Sequence, residues 1–413
     1  MSEPDRKPRL LLVTPYFFPQ NYGGAVRLFD DLLARSRRIE SAVLTENLYA
    51  RPEDLPGAAD RAKRNGYALY RTERLRLIFS GRSPLEHIAE AVRFFTTTRR
   101  ELARVVDEFK PDVVVSGATY RLGWLMCGLR DVPLVNYVLG EELTQQTLEG
   151  GPIARYLRRA QRESIHAART NIVISRFTAD QLKELAGIGD EAIRILPCSV
   201  DTEKFRPPAD REALRRELGF DGRTTLITIA RLIPRKGIDQ VLRALATSTS
   251  LPPDWQYLIC GTGVQERRLR ALTAELGLGE RVRFLGYLAE DQLPRYYGAA
   301  DLFVQTNREV AGDTEGFGIV FLEANACGTP VIGGIAGGTA DAIEEGVSGL
   351  RVDGDDVGAV RAAIERLMGD AALRQRMGAT ALEHVRAAFS ADVCARRFED
   401  LVLSIVGPSD RSD

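Results

Sequence analysis

Glu315-Gly316-Phe317-Gly318-Ile319-Val320-Phe321-Leu322-Glu323 sets two carboxylates eight residues apart around a glycine turn that runs straight into an apolar segment. A glycine turn feeding a helix presents unpaired backbone N–H groups at the positive end of the helix, an arrangement that receives anions. Two acids at that spacing reach different hydroxyls of one long polyol. The stretch reads as a clamp for a sugar nucleotide.

On both sides of it the chain repeats one pattern, a short apolar run, a turn and a helical segment. Runs at 225–229, 257–260, 282–285, 301–304 and 330–332 alternate with helical spacing such as 238–246 and 265–276. Apolar runs of that length, bounded by turn residues, predict parallel strands buried on both faces. In the first half, Arg9-Leu10-Leu11-Leu12-Val13-Thr14 leads through Gly23-Gly24 into helical spacing over 26–33, and further strands are expected at 112–115, 132–137 and 171–174. The segment from 195 to about 222, with Pro207-Pro208 and several charges, suits a connection between the halves. The expected fold is α/β, with two Rossmann-like doubly wound domains, 1–195 and 196–390, facing a cleft. Ligands of such sheets sit outside the carboxyl ends of the strands.

Those ends carry the chemistry. Ile229-Ala230-Arg231-Leu232-Ile233-Pro234-Arg235-Lys236-Gly237 places two or three cations after the first strand of the second domain. Breaking a glycosyl–phosphate bond leaves a nucleoside diphosphate, and without a metal its growing charge must be met by fixed cations and backbone N–H groups. Cys260-Gly261-Thr262-Gly263 also follows a strand. It lacks the third glycine and the acid of a dinucleotide fingerprint, which disfavours a nicotinamide cofactor. Asp353-Gly354-Asp355-Asp356 lies between a strand and a helix start, where aspartate serves as a cap rather than as a metal ligand.

Taken together, Arg231, Lys236, the Glu-Gly-Phe-Gly stretch and the following Ala326-Cys327-Gly328-Thr329-Pro330-Val331-Ile332 resemble the signature of retaining glycosyltransferases of family 4, which have the GT-B architecture. The resemblance covers the whole chain and is sharpest from Ile229 to Gly349. It implies a metal-independent, cofactor-free hexosyltransferase that moves a sugar from a UDP- or GDP-sugar to a hydroxyl of a lipid-linked, saccharide or small-molecule acceptor. By position, Arg231 and Lys236 are the diphosphate pair, Glu315 touches the donor sugar, and these three form the catalytic set. Glu323 falls on the ribose hydroxyls, and the amides of Phe317, Gly318 and Ile319 on the sugar or diphosphate. Gly261 and Gly263 come close to the nucleotide, while Gly338 and Thr339 belong to a second phosphate loop. Gly23 and Gly24 match the glycine loop near the donor phosphate and acceptor. A terminal helix over about 391–406 is expected to pack back onto the first domain.

One departure stands out. Family members often carry a histidine before the glycine of the segment seen here as Tyr137-Val138-Leu139-Gly140-Glu141-Glu142, and this chain has Leu139. Glu141 or Glu142 is then the expected acceptor-side group. Two other functions stay open: an epimerase or hydrolase of the same fold, which needs acid/base side chains in the cleft, and a non-catalytic nucleotide-sugar binder, which Leu139 motivates.

Composition narrows the partners. Lys plus Arg total 56 against 57 acids, giving no drive toward nucleic acid. Five cysteines with no Cys-x-x-Cys pair read as reduced, buried thiols of a cytoplasmic protein. The polar start runs directly into a strand, leaving no room for a signal peptide, and no run approaches the roughly 18 apolar residues that span a bilayer. Any membrane contact is therefore expected to be peripheral, at the inner face. Residues 85–109 suit it, with Ile88, Val92, Phe95, Leu102, Val106 and Phe109 on one side of a helix and Arg93, Arg100 and Arg104 opposite, a basic face for anionic lipid.

Overall fold

A computed structural model of the protein describes residues 6–18, 24–47, 54–77, 83–129, 131–144, 151–220 and 222–407. The chain divides into two compact units, Met1–Leu196 with Asp392–Asp413, and Pro197–Ala391. Each is built on its own parallel sheet, and the fold is α/β of the GT-B type.

The first sheet comprises β1 (Arg9–Val13), β2 (Glu40–Glu46), β3 (Tyr67–Thr72), β4 (Val113–Ser116), β5 (Leu134–Val138), β6 (Thr170–Val173) and β7 (Ile193–Ile195), in the order β3-β2-β1-β4-β5-β6-β7. Leu10 to Val13 and Val113 to Val115 are at most 2% exposed, as expected of strands covered on both faces. Three strands of this sheet, β2, β3 and the short β7, escaped the sequence reading. The acids bracketing β2 suggest surface, yet Glu46 is fully buried. Its carboxylate accepts from the amides of Leu75 and Arg76 at 2.7 and 3.1 Å and from the Arg76 guanidinium. β3 lies where the arginine-rich 61–82 region obscures a short apolar alternation.

The final helix, Ala391–Val406, belongs to this unit. The ring of Phe398 lies 6.4 Å from that of Tyr137, and buried Glu399 accepts from the Arg38 amide at 2.5 Å and from its Nε at 3.1 Å. The helix Pro84–Phe109 starts at Ser83 with a capping box closed by Glu86. Its buried stripe is Ala91, Phe94, Thr98, Leu102, Val105 and Phe109. This corrects the expected apolar face: Ile88 and Val92 lie outside the stripe and are 59% and 58% exposed.

The second sheet comprises β8 (Thr224–Ile229), β9 (Trp255–Cys260), β10 (Val282–Gly286), β11 (Leu302–Gln305), β12 (Val331–Gly334) and β13 (Gly349–Val352), in the order β10-β9-β8-β11-β12-β13. Its core gathers Leu226, Ile259, Val304 and Ile332 from the strands with Val241, Leu245, Val360 and Ile364 from the covering helices. In both sheets the strand order reverses beside the first strand, between β1 and β4 and between β8 and β11. At such a point the loops leave in opposite directions and open a crevice over the carboxyl ends.

Candidate functional site

Beside β8 and β11, the loops carrying Arg235, Lys236, Asn307 and Glu315 converge. After β8, Pro234–Lys236 make a single 3-10 turn, begun by a proline with its fixed φ and closed by Gly237 at φ +68°. Arg308 pins that turn from the β11 side. Its amide donates to the Arg235 carbonyl at 3.0 Å, its Nε to the Pro234 carbonyl at 3.2 Å, and its Nη2 to both oxygens of Asp239 at 3.0 and 2.9 Å.

Two glycines set how closely the loops approach. A Cβ on Gly237 would lie 2.0 Å from the Thr306 carbonyl oxygen, and one on Gly334, at the end of β12, 1.8 Å from that of Asn307. Only glycine allows the exits of β8, β11 and β12 to rest on one another.

On this frame three donors meet one oxygen. Lys236 Nζ, Arg235 Nη1 and Asn307 Nδ2 all donate to Glu315 Oε2, at 2.5, 2.8 and 2.8 Å. Arg235 Nε also donates to Asp313 Oδ2 at 3.1 Å. The side chains of Arg235, Lys236 and Glu315 are 7%, 10% and 13% exposed. Among the described residues no hydrogen bond reaches Glu315 Oε1, so the carboxylate is fixed through one oxygen and open at the other.

Burial raises the pKa of Glu315, but the charges of Lys236 and Arg235 and their hydrogen bonds outweigh it and hold the carboxylate below its ordinary value. Lys236 is also pushed below its usual range. Burial is the main cause, the Arg235 and Arg231 charges add to it, and the attraction of Glu315 does not fully offset them. Arg231 is exposed at the mouth of the same loop. Of the expected pair, Lys236 donates to Glu315, and the charge of Arg231 acts on Lys236.

The other expected residues fall on adjoining loops. Gly261, at φ +125°, abuts the Ala230 carbonyl, where a Cβ would stand 1.9 Å away. Gly263 packs on Leu232, whose amide donates to the Thr262 carbonyl at 2.9 Å. The glycine pair thereby fixes the stretch that carries Arg231. Gly318, at φ +91°, opens the helix Ile319–Ala326, placing the Phe317–Ile319 amides at its start, with the Phe317 ring buried 6.3 Å from that of Phe389. Glu323 is 1% exposed and accepts from the Tyr297 hydroxyl at 3.1 Å.

Two groups expected at a phosphate have internal partners. The Gly338 amide donates to the Glu315 carbonyl at 2.8 Å, and the Thr339 hydroxyl to that of Gly334 at 2.6 Å. These bonds tie the loop after β12 to the Glu315 backbone. Asp356 caps the helix Val357–Gly369, accepting from the amides of Gly358 and Ala359.

In the first unit, Gly23 lies outside the described residues, while Gly24 begins the helix Gly24–Arg35. Glu141 and Glu142 start a short helix after β5, and the Glu141 side chain also lies outside the described residues. Glu142 Oε1 accepts from the Thr119 hydroxyl at 3.4 Å, which in turn accepts from Gln161 Nε2 at 3.2 Å.

Sequence reasoning did not single out Arg235, Asn307 or Asp313. Nothing local marks them, since Arg235 and Asn307 reach Glu315 from different strand exits.

Comparison with known proteins gives a consistent result. Residues 22–204 match the family described as Glycosyltransferase Family 4, and residues 210–384 match Glycosyl transferases group 1. The chain is 33% identical over 321 residues to the GDP-mannose-dependent monoacylated alpha-(1-6)-phosphatidylinositol monomannoside mannosyltransferase of Corynebacterium glutamicum, covering 75% of this chain and 80% of that relative. It is 37% identical over 230 residues to a D-inositol 3-phosphate glycosyltransferase of Acidothermus cellulolyticus, covering 53% and 50% of the two chains. Among solved structures it superposes on Anabaena HepE with UDP and glucose at a TM-score of 0.73 and 20% identity, over 96% of this chain and all of that one. A sucrose-phosphate synthase from Thermosynechococcus elongatus gives 0.73 at 23% identity, over 96% and 99%.

Proposed function

The chain belongs to glycosyltransferase family 4 and is a hexosyltransferase of that type, and from this we propose that it transfers a hexose from a nucleoside diphosphate sugar to a hydroxyl acceptor with retention and without a metal. The observation that carries the reading is the single open oxygen of Glu315 beside two buried cations. Oε1 is free to accept from a sugar hydroxyl, while Lys236 and Arg231 face the diphosphate. Glu323 takes the ribose, and the amides at 317–319 orient the sugar.

In the step itself the bond from the anomeric carbon to the phosphate oxygen breaks as the acceptor oxygen attacks the same face. The departing phosphate oxygen takes the hydroxyl proton, so no nucleophile from the protein is needed. Fixed positive charge on the leaving diphosphate supplies the transition-state stabilisation.

GDP-mannose is the first donor to try, because the Corynebacterium relative is named for it. In a thermal-shift panel, GDP and GDP-mannose are expected to raise Tm more than UDP- or ADP-sugars, by the mass-action stabilisation that any native-state ligand gives. No shift with any sugar nucleotide would remove the reading. Epimer formation from donor alone, followed by NMR, would favour an isomerase instead.

A phosphatidylinositol-type acceptor, as in that relative's name, would require the enzyme to work at a membrane surface. No described helix is long and apolar enough to cross a bilayer. The structure offers a surface patch instead. Ile88, Val92 and Tyr156 are 59%, 58% and 45% exposed, Phe95 links the two helices through an edge contact to Tyr156 at 5.7 Å, and Arg93, Arg155 and Arg159 are exposed on the same helices. Exposed apolar side chains on helices that also expose arginines suit an anionic interface. Flotation with anionic vesicles is expected to fall sharply in an Ile88→Asp, Val92→Asp variant; retention equal to the parent's would dismiss the patch.

A further inference from the structure

Three arginines lie near the carboxyl ends of β1, β2 and β3 in the first unit, and among the described residues two of them are paired with acids. Arg61 is paired with buried Asp30 at 2.6 Å and lies over the Phe18 ring, its Cζ 3.9 Å from the centroid. Asp30 is otherwise taken by Asn65 and the Tyr67 hydroxyl, at 2.8 and 2.5 Å. Arg76 is paired with Glu46, whose carboxylate also receives the two amides described above, and lies over the Tyr16 ring.

Arg71, the next-to-last residue of β3, is different. It is half-buried, and its guanidinium reaches across the sheet edge to donate to Asn47 Oδ1 at 3.0 Å and to the Phe18 carbonyl. Among the described residues no carboxylate lies within ion-pair distance of it. Burial holds its pKa below the ordinary arginine value, yet a guanidinium stays charged across the working pH range. Both of these partners are neutral oxygens, so among the described residues no acid offsets the charge, and the planar fork keeps donors to spare. A desolvated cation in that state is costly until an anion joins it. The carboxyl edge of a parallel sheet is where a ligand arrives.

We propose that Arg71 is an anion subsite of the acceptor side, taking the phosphate of a phosphate-bearing acceptor through its guanidinium fork. The inference rests on the reading that puts the acceptor side, with Glu141 or Glu142 and the Gly23-Gly24 loop, in the first unit. The phosphate belongs either to a soluble monoester or to a lipid headgroup, and the two are separable.

The test uses the full chain saturated with GDP, so that donor-side cations are occupied. In one arm, 31P NMR follows the binding of inorganic phosphate and of inositol 1-phosphate. In the other, flotation compares phosphatidylcholine vesicles with and without phosphatidylinositol. The parent protein is expected to bind in at least one arm, and Arg71→Gln to weaken that binding by about tenfold or more, the cost of losing charge-assisted hydrogen bonds. Arg71→Lys keeps the charge without the fork and is expected to fall between them. An effect confined to NMR identifies a soluble phosphate, and one confined to vesicles a lipid headgroup.

Absence of phosphate binding in both arms for the parent overturns the proposal, whatever the variants do. Equal binding by parent and a folded Arg71→Gln overturns it too. Lack of affinity for GDP counts against the transfer reading instead, and the phosphate titration is then scored without nucleotide.

Discussion

Replacing Lys236 by methionine is expected to lower kcat/KM for sugar transfer by about a hundred- to a thousandfold, the ~2.7–4 kcal/mol that one preorganised charge-stabilising donor contributes to a transition state. The loss falls mainly on kcat, because negative charge on the leaving diphosphate grows as the glycosyl bond breaks. Folding is expected to survive. Glu315 keeps Arg235 and Asn307 on the same oxygen, so the carboxylate is not left alone when the ammonium goes. Steady-state kinetics with a matched Tm measurement separates the two effects. A kcat within about a factor of three of the parent would take Lys236 out of the chemistry.

Replacing Arg235 by methionine is expected to act through Glu315 and to show itself in pH dependence. Arg235 is one of two charges that hold the Glu315 carboxylate below its ordinary pKa against the effect of burial. Removing it lets that pKa rise, so the acid limb of the kcat/KM profile moves to higher pH. Near neutral pH the expected loss is about ten- to a hundredfold, from a carboxylate held by fewer bonds.

Stability follows the same sign. A carboxylate with a depressed folded pKa contributes fully above its unfolded pKa, and the contribution is lost as pH falls through the folded value. The acid side of the Tm profile should therefore move upward with the activity limb. Arg235→Lys should restore part of both. Superimposable profiles for parent and Arg235→Met would reduce Arg235 to packing.

What the sequence disclosed, and what it withheld, follows from range. Strand segments such as Leu10–Val13 and Val113–Val115 are uninterrupted apolar runs, and burial on both faces leaves that mark in the residues themselves. The glycines at 237, 261, 318 and 334 sit where the backbone turns left-handed or another chain segment touches it, and glycine is the residue such places require. Strands β2 and β3 were hidden because their ends carry charge, and only the fold supplies Glu46 with Arg76. The Glu315 cluster was half visible. The acid and Lys236 were legible as motif residues, but neighbours in a 3-10 turn point apart by rule, so nothing local foretold that Arg235 and Lys236 share one oxygen some 80 positions away.

The last described helix belongs to the unit built on the first sheet. During synthesis the intervening unit, continuous from Pro197 to Ala391, has all its residues available first, while the amino-terminal one waits for Phe398, Glu399 and Val402 to leave the ribosome. A nascent chain stalled before those residues would hold one finished half and one open half, exposing the ring of Tyr137 and leaving Arg38 without its buried acid. Carboxy-terminal truncations should therefore surface as aggregation traced to the opposite end of the polypeptide.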